Sequence, residues 1–484
     1  MTTSPTPNQQ ALSDLLAEIE AGPEGPEIGA FFDFDGTLIA GYSAEAWALD
    51  ALRRRRIDPQ TMVRSLIAGL DMHVRGGDVT ALMEIAADLG KGRREEALIE
   101  LGRRLFRERL AGTVYPEARA VVKAHQRKGH TVALASSATT FQAGPLAADL
   151  GIEHVLCTRL EVVDGRLTGR VEGPVLWGRN KADAVARFAA EAGIKLPDSY
   201  GYANGDEDVE FLETVGRARP LNPASGLARV AAERGWPILR FEPRGRPGLV
   251  PVVRTAAALG GIATTLGIGV GLGLLNRSRR AAVNYVATVA PEAALLLAGV
   301  DMRVTGEEHL WSARPAVFVF NHQSSFDVVV IARLLRRDFT AVAKAELAHD
   351  PRFAPLAALI GVVYVQRGDP AQSRAALRPV VDKLRSGVSL AIAPEGTRSA
   401  TPTLGPFKSG AFHIAVEAGV PVVPVVIRNA GEIMWRASLV ARPGTVDVAV
   451  LPPVPTEGLG PDDVHRLRDG VREQFLETLA DWPV

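Results

Sequence analysis

Short apolar runs alternate with polar, turn-forming segments along most of the chain. Ile28-Gly29-Ala30-Phe31-Phe32, Thr131-Val132-Ala133-Leu134-Ala135, Ala316-Val317-Phe318-Val319-Phe320 and Val388-Ser389-Leu390-Ala391-Ile392 read as buried strands. Gly361-Val362-Val363-Tyr364-Val365 and the Pro-marked Val420-Pro421-Val422-Val423-Pro424-Val425 read the same way. Helix-like stretches lie between them: Ala11 to Glu20, much of Ser43 to Gly112, Pro145 to Ile152 with Gly151 as its stop, and an amphipathic closing stretch from Pro461 to Leu479. Strands alternating with helices predict an α/β fold. The pattern breaks once. Thr255 to Leu275 carries no charge and is long enough to cross about 30 Å of hydrocarbon. It is rich in Gly, Ala and Thr, so its hydrophobic drive is moderate, and its glycines would let a second helix approach closely. That second stretch runs from Ala281 to Val300, interrupted by Asn284, Pro291 and Glu292.

A chain of 484 residues is too long for one core. The Pro, Gly and Arg run Phe241 to Gly248 marks a boundary. The expected division is a tail with a short helix over 1–27, a first catalytic domain over 28–225 with a helical insertion at about 43–112, a linker over 226–250, membrane-associated helices over 251–300, and a second catalytic domain over 301–484. Lys plus Arg and Asp plus Glu both number 55, and this zero net charge disfavours a nucleic-acid partner. One cysteine, Cys157, allows no internal disulfide and suits a reducing compartment. Met1 to Gln10 has no basic start followed by an apolar core, so no signal peptide is expected. Arg277, Arg279 and Arg280 beside the apolar stretches suit an anionic, cytoplasmic lipid face. Arg53-Arg54-Arg55-Arg56 and Arg93-Arg94 are either a solvated helix face or a surface for anionic head groups.

Candidate chemistry sits where the apolar runs end. The first strand delivers Asp33-Phe34-Asp35-Gly36-Thr37. Two carboxylates at i and i+2 off a strand end can face one site, where one attacks phosphorus and the other handles the leaving-group proton. Gly36 permits the tight turn and Thr37 can hold phosphate oxygens. D-x-D-G-T resembles the first motif of the haloacid-dehalogenase-like phosphohydrolases. The resemblance implies a Rossmann-like fold with a helical cap at about 43–112. It makes Ser136 the phosphate-binding residue of the second motif and Lys181 the phosphate-facing lysine. The Thr158 to Gly169 segment becomes the hairpin of a phosphoserine-phosphatase-like subgroup. It also implies a Mg²⁺ site of Asp33, Asp35, Asn204 and Asp208. Here the chain departs from the family, because Asn204 stands where an acid is expected. An amide oxygen can ligate Mg²⁺ but supplies no charge.

The second candidate is Asn321-His322-Gln323-Ser324-Ser325-Phe326-Asp327. His322 and Asp327 are about 140° apart on a helix. A loop turning into a helix would instead let Asp327 orient His322 as a general base, with the hydroxyl nucleophile coming from the substrate. Downstream lie a strand ending in Arg367, then Pro394-Glu395-Gly396-Thr397-Arg398-Ser399, then the V-P-V-V-P-V strand. This order closely resembles the glycerolipid acyltransferases, whose best-known members are the 1-acyl-sn-glycerol-3-phosphate acyltransferases, over roughly 300–455. The resemblance implies an α/β acyltransferase domain and acyl transfer from acyl-CoA or acyl carrier protein to lysophosphatidic acid. Arg367, Arg398 and Lys344 would hold the phosphate, with Glu395, Gly396 and Thr397 shaping the pocket and Phe407-Lys408-Ser409-Gly410 as a secondary block. Glycerol-3-phosphate or another lysophospholipid stays open as acceptor. His413 is assigned no role.

The expectation is therefore a fusion of two enzymes on a membrane, at its cytoplasmic face. A non-catalytic first domain remains the alternative, motivated by Asn204. The two apolar stretches could form a hairpin dipping into one leaflet, the first could span the bilayer, or both could be soluble helices packed on the catalytic domain. The family's tie to membranes through two N-terminal helices favours the hairpin.

Overall fold

The computed structural model describes residues 7–54, 79–243, 247–344, 361–365, 370–435 and 438–482. The chain divides into two compact units, 1–245 and 246–484.

The first unit is built on six strands: β1 (Gly29–Phe32), β2 (Thr131–Thr139), β3 (His154–Val163), β4 (Arg166–Glu172), β5 (Tyr200–Ala203) and β6 (Arg217–Pro220). They lie in the order β4-β3-β2-β1-β5-β6 and are parallel except for β3 with β4. Central strands of a parallel sheet are covered on both faces, which is why β1 reads as an unbroken apolar run and is buried throughout. The longer helices are α1 (Pro7–Ala21), α2 (Ser43–Arg53), α3 (Thr80–Gly90), α4 (Glu95–Leu105), α5 (Pro116–Arg127), α6 (Thr140–Leu150), α7 (Arg179–Ala192) and α8 (Ser225–Arg234).

Two local features follow from turn chemistry. Asp164 and Gly165 both take positive φ, 49° and 70°, the condition for the two-residue turn joining β3 to β4. The helix expected to begin at Pro145 begins at Thr140. Thr139 and Gln142 form a reciprocal capping box that starts it five residues earlier, and Pro145 is carried inside. The insertion between β1 and β2 holds α2, α3 and α4. It is tied to the hairpin by backbone bonds from Gly92 N–H to Leu167 O and from Leu167 N–H to Arg93 O.

The second unit opens with α9 (Leu249–Leu275) and α10 (Arg279–Ala298). Its sheet comprises β7 (Val300–Thr305), β8 (Val317–Phe320), β9 (Phe339–Lys344), β10 (Val363–Val365), β11 (Ser389–Ile392), β12 (Val422–Arg428) and β13 (Gly444–Val450). The order is β10-β9-β11-β8-β12-β13-β7, parallel except for β12 with β13. Alternation along β8 divides its side chains between two cores. Val317 and Val319 pack with Leu390, Phe412 and Phe475, whereas Phe318 and Phe320 pack with Val423, Val425 and Leu295. The first core is covered by α13 (Gly410–Ala418) and α14 (Val464–Ala480), which follow α12 (Pro370–Arg385) in the chain; the second is covered by α10 and α11 (Asp327–Leu335).

Helices α9 and α10 form an antiparallel hairpin with glycines at the contact. A Cβ on Gly261, Gly269 or Gly273 would meet Leu297, Val286 or Ala282 at 2.8, 2.3 or 2.8 Å. By length and composition both helices could cross a membrane, with 17% and 44% of their most apolar windows buried. Arg280 pairs with Asp338 at 2.9 Å, Glu292 with Arg333 at 2.6 Å, and the Thr255 hydroxyl bonds the main chain of Ala441. Both ends of the hairpin are thus fastened to the α/β domain. The second helix packs on that domain, and the first turns Leu259, Ile268, Val270 and Leu274 outward.

Candidate active sites

In both units the chemistry-bearing residues follow the carboxyl ends of parallel strands, where ligand sites form in open α/β sheets.

In the first unit Asp33 comes directly after β1, with its N–H donating to Tyr202 O on β5 at 2.9 Å. Lys181, on the first turn of α7, is buried and reaches two carboxylates, Asp33 Oδ1 at 2.9 Å and Asp208 Oδ1 at 2.5 Å. Burial alone would depress the lysine, but the Asp208 and Asp33 charges outweigh it and hold it above the ordinary value. Asp35 is turned the other way. Its two oxygens accept from Ser43 N–H at 2.7 Å and Ser43 Oγ at 3.0 Å. Burial pushes its carboxyl up to about 7 against those hydrogen bonds, with Asp33 adding to the rise. The Glu207 carboxyl is pushed to about 7 as well, by burial and then by Asp208. Ser136 is buried on β2, where its Oγ accepts from Ala138 N–H. Thr37 donates to Asn204 Oδ1 at 3.0 Å, and the Asn204 amide lies against Gly36, which takes φ +77°.

Oxygen donors alone suit Mg²⁺, a hard cation that binds through one or two carboxylates and keeps several waters. Asp33 and Asn204, at the ends of adjacent strands, fit that need with a single formal charge. The Asp35 and Asp208 carboxylates, expected as further ligands, accept from Ser43 and from Lys181 and Gly205 N–H respectively. Among the described residues no three His, Cys, Asp or Glu side chains converge as a metal site.

In the second unit His322 lies in the loop between β8 and α11, and Asp327 is the first residue of that helix. The loop brings the two together, His322 Nδ1 to Asp327 Oδ2 at 2.8 Å. The same Oδ2 accepts from Gln323 N–H at 2.8 Å and Ser324 N–H at 2.9 Å, so a fully buried carboxylate sets both the loop and the ring. Among the described residues His322 Nε2 has no hydrogen-bond partner. An imidazole held this way can take a proton at the open nitrogen.

Glu395 follows β11 and fastens the two motifs. Its Oε1 accepts from His322 N–H at 2.8 Å, while Oε2 accepts from Ser399 Oγ at 2.6 Å and Gly405 N–H at 2.9 Å. Expected to shape the pocket, it does so by holding backbone. Ser399 N–H donates back to His322 O at 2.7 Å. Arg398 donates to Ser325 Oγ, inside the histidine loop. Thr397 is exposed. Gly396 takes φ +69°, and a Cβ there would stand 3.0 Å from Lys408 Nζ, so the lysine of the secondary block lies across this turn. Lys344 ends β9. Arg367 lies outside the described residues.

Sequence reasoning missed two positioning residues. Asn321 bonds both ways with the Ile427 backbone, at 2.7 and 2.8 Å, tying the histidine loop to β12. Ser43 holds Asp35; its only sequence signal is a Ser opening a helix after a glycine turn.

Residues 30–213 match the family of haloacid dehalogenase-like hydrolases, and residues 301–428 match the acyltransferases. Over 186 residues the chain is 37% identical to 1-acyl-sn-glycerol-3-phosphate acyltransferase alpha of Ovis aries, covering 38% of this chain and 65% of that protein. The chain thus spans just under two thirds of this relative's length. Over 256 residues it is 30% identical to the inhibition of morphological differentiation protein of Streptomyces azureus, covering 50% of this chain and 92% of that one. Over 270 residues it is 29% identical to a Mycobacterium tuberculosis protein named as a probable phosphatase, covering 54% and 92%.

Proposed function

Because the chain belongs to the haloacid dehalogenase-like hydrolases through its first half and to the acyltransferases through its second, we propose that it joins a phosphohydrolase to an acyltransferase that makes phosphatidic acid from lysophosphatidic acid. The observation that carries the acyltransferase reading is the His322 ring, held by buried Asp327 with Nε2 open. Nε2 takes the proton of the acceptor's free glycerol hydroxyl. The oxygen attacks the carbonyl carbon of an acyl thioester, on coenzyme A or a carrier protein, the C–S bond breaks, and the thiolate departs and is protonated. Arg398 and Lys408, with Arg367 and Lys344, would neutralise the acceptor's phosphate. Glu395 keeps the two loops in register. The outward apolar face of α9 sits in one leaflet at the cytoplasmic face, while α10 stays on the domain.

In the first half Lys181 holds Asp33 and compensates charge, leaving one Asp33 oxygen to attack phosphorus. Asp35, poised near neutrality, donates its proton to the departing alkoxide and then takes one from the water that hydrolyses the aspartyl phosphate. Ser136 and Thr37 stand where phosphate oxygens would be received. Bound Mg²⁺, held by Asp33 and Asn204, would supply positive charge against the phosphoryl oxygens. The substrate class is a phosphate ester, with a lipid phosphate made by the second unit as the favoured case.

One assay tests both halves. Full-length protein in vesicles receives acyl-CoA, lysophosphatidic acid and Mg²⁺, and lipid products and free phosphate are followed together. His322→Ala is expected to lose phosphatidic acid formation by roughly 10² to 10⁴. Asp33→Asn is expected to lose phosphate release alone. Acyl product that survives His322→Ala overturns the first assignment. Phosphate release unaffected by Asp33→Asn overturns the second. Asn204 favours a rival, a first unit that docks or regulates without turnover. Asn204→Asp separates the two readings: restoring a carboxylate is expected to tighten Mg²⁺ in a direct titration, and turnover in the parent protein at saturating Mg²⁺ rules the rival out.

A further inference from the structure

The helical insertion of the first unit contains a cavity of about 500 Å³ that shares no residue with the centre around Asp33. Arg93, Arg103, Arg104 and Arg107 line it, with Glu100 as the one carboxylate among them. Helix α4 supplies Arg103 and Arg104, and a π-helical turn over Phe106–Leu110 carries Arg107. Such turns are rare and occur often at functional sites. Arg104 is oriented by Asp50 of α2 at 3.0 Å. Among the described residues Arg103 and Arg107 make no hydrogen bond or ion pair, and neither does Glu100. Arg103 and Arg107 are like charges at i and i+4, a spacing that destabilises a helix unless something neutralises them. With Arg104 paired to Asp50, Arg103 and Arg107 still leave a positive excess over the Glu100 carboxylate in this concavity, which a bound anion would relieve. Planar guanidinium forks match the oxygens of phosphate in particular.

We propose that this cavity is a second anion site, which takes a phosphate group through Arg103 and Arg107 with Arg104 held in place by Asp50. The phosphate is either the head group of an anionic glycerolipid or a free phosphate. The site is separate from both catalytic centres and does not depend on either proposed reaction.

The test uses the full chain in a non-ionic detergent, titrated calorimetrically with inorganic phosphate. In parallel, its partition is measured onto phosphatidylcholine vesicles with and without phosphatidic acid. Removing two charge-assisted contacts in Arg103→Ala/Arg107→Ala is expected to weaken binding at least about tenfold. A loss confined to phosphatidic acid vesicles identifies a lipid head group, and a loss in the phosphate titration identifies the free anion; each supports the site. Glu100→Gln guards against simple misfolding, because it is expected to improve binding, by about threefold for one exposed charge. Identical binding in wild type and the double variant by both measurements overturns the proposal, as does unchanged or weaker binding in Glu100→Gln.

Discussion

The carboxylates of the first unit differ in what they face, and that separates their chemistry. Asp33 is bonded to a cation and Asp35 to a serine. Burial outweighs the Ser43 bonds and the Lys181 charge, so Asp35 rises to about 7. As the acid in phosphoryl transfer it must carry a proton, so phosphate-ester turnover is expected to fall about tenfold per pH unit above that value. The slope of log(kcat/KM) between pH 7 and 9 checks this, and Ser43→Ala is expected to move the break upward, because the hydroxyl bond it removes favours the ionised form. In the second unit, Asp327 spends one oxygen on three donors, a ring nitrogen and two backbone N–H groups. The His-Asp spacing is readable from sequence because both residues belong to one loop. Glu395 is readable only as a motif member, since its partners His322 and Gly405 come from two other loops.

At the level of elements, the helical hairpin rests on glycines. Gly269 is the tightest, with Val286 of α10 at 2.3 Å from where a Cβ would be. Gly269→Leu is expected to part the two helices near their middle and cost roughly 1–3 kcal/mol by overpacking. A cysteine pair across the Gly273–Ala282 contact would cross-link readily in the parent and poorly in the variant. The stretch was legible as apolar and glycine-rich, and a close pair of helices was expected from it, but its fastening to the domain was not legible. Arg280–Asp338 and Glu292–Arg333 hold it along the domain, and these are contacts between distant segments. The same distinction applies to α6. Its Gly151 stop is local and was legible, whereas the start expected at Pro145 yielded to a capping box upstream.

At the scale of the whole first unit, a buried chain of hydrogen bonds crosses from the N-terminal segment to the sheet. His130 Nε2 meets Pro23 O, the two Nδ1 atoms of His130 and His125 meet, and His125 Nε2 meets Tyr202 Oη, each at 2.8 Å. With both rings neutral every contact has one donor and one acceptor. In this tautomeric arrangement a proton added to His130 Nδ1 puts two N–H groups face to face. Burial lowers both histidines; His130 and Arg219 add to the effect at His125, and Lys128 and Arg217 add to it at His130, where Pro23 O and Glu24 oppose it. The unfolded chain therefore binds more protons below about pH 6.5, and stability is lost as pH falls through that region. Each proton taken up on unfolding contributes a slope of about 1.4 kcal/mol per pH unit. Denaturant unfolding between pH 7.5 and 5 measures it, and His130→Gln is expected to flatten the slope.

The sequence by itself determined the elements and the chemistry carried at their ends. Apolar runs, glycine turns and a D-x-D or H-x-x-x-x-D spacing act over a few residues, where backbone geometry leaves little choice. It also determined the α/β class, because buried parallel strands must alternate with covering helices. Only the tertiary structure decided what each charge meets. Lys181 closes on Asp33 across 148 positions of sequence, Ser43 bonds both oxygens of Asp35, and four arginines from a loop, a helix and a π-turn share one cavity. Those outcomes are set by which segments pack together. Pairwise electrostatics depend on distance and burial, and neither is encoded at the residue's own position.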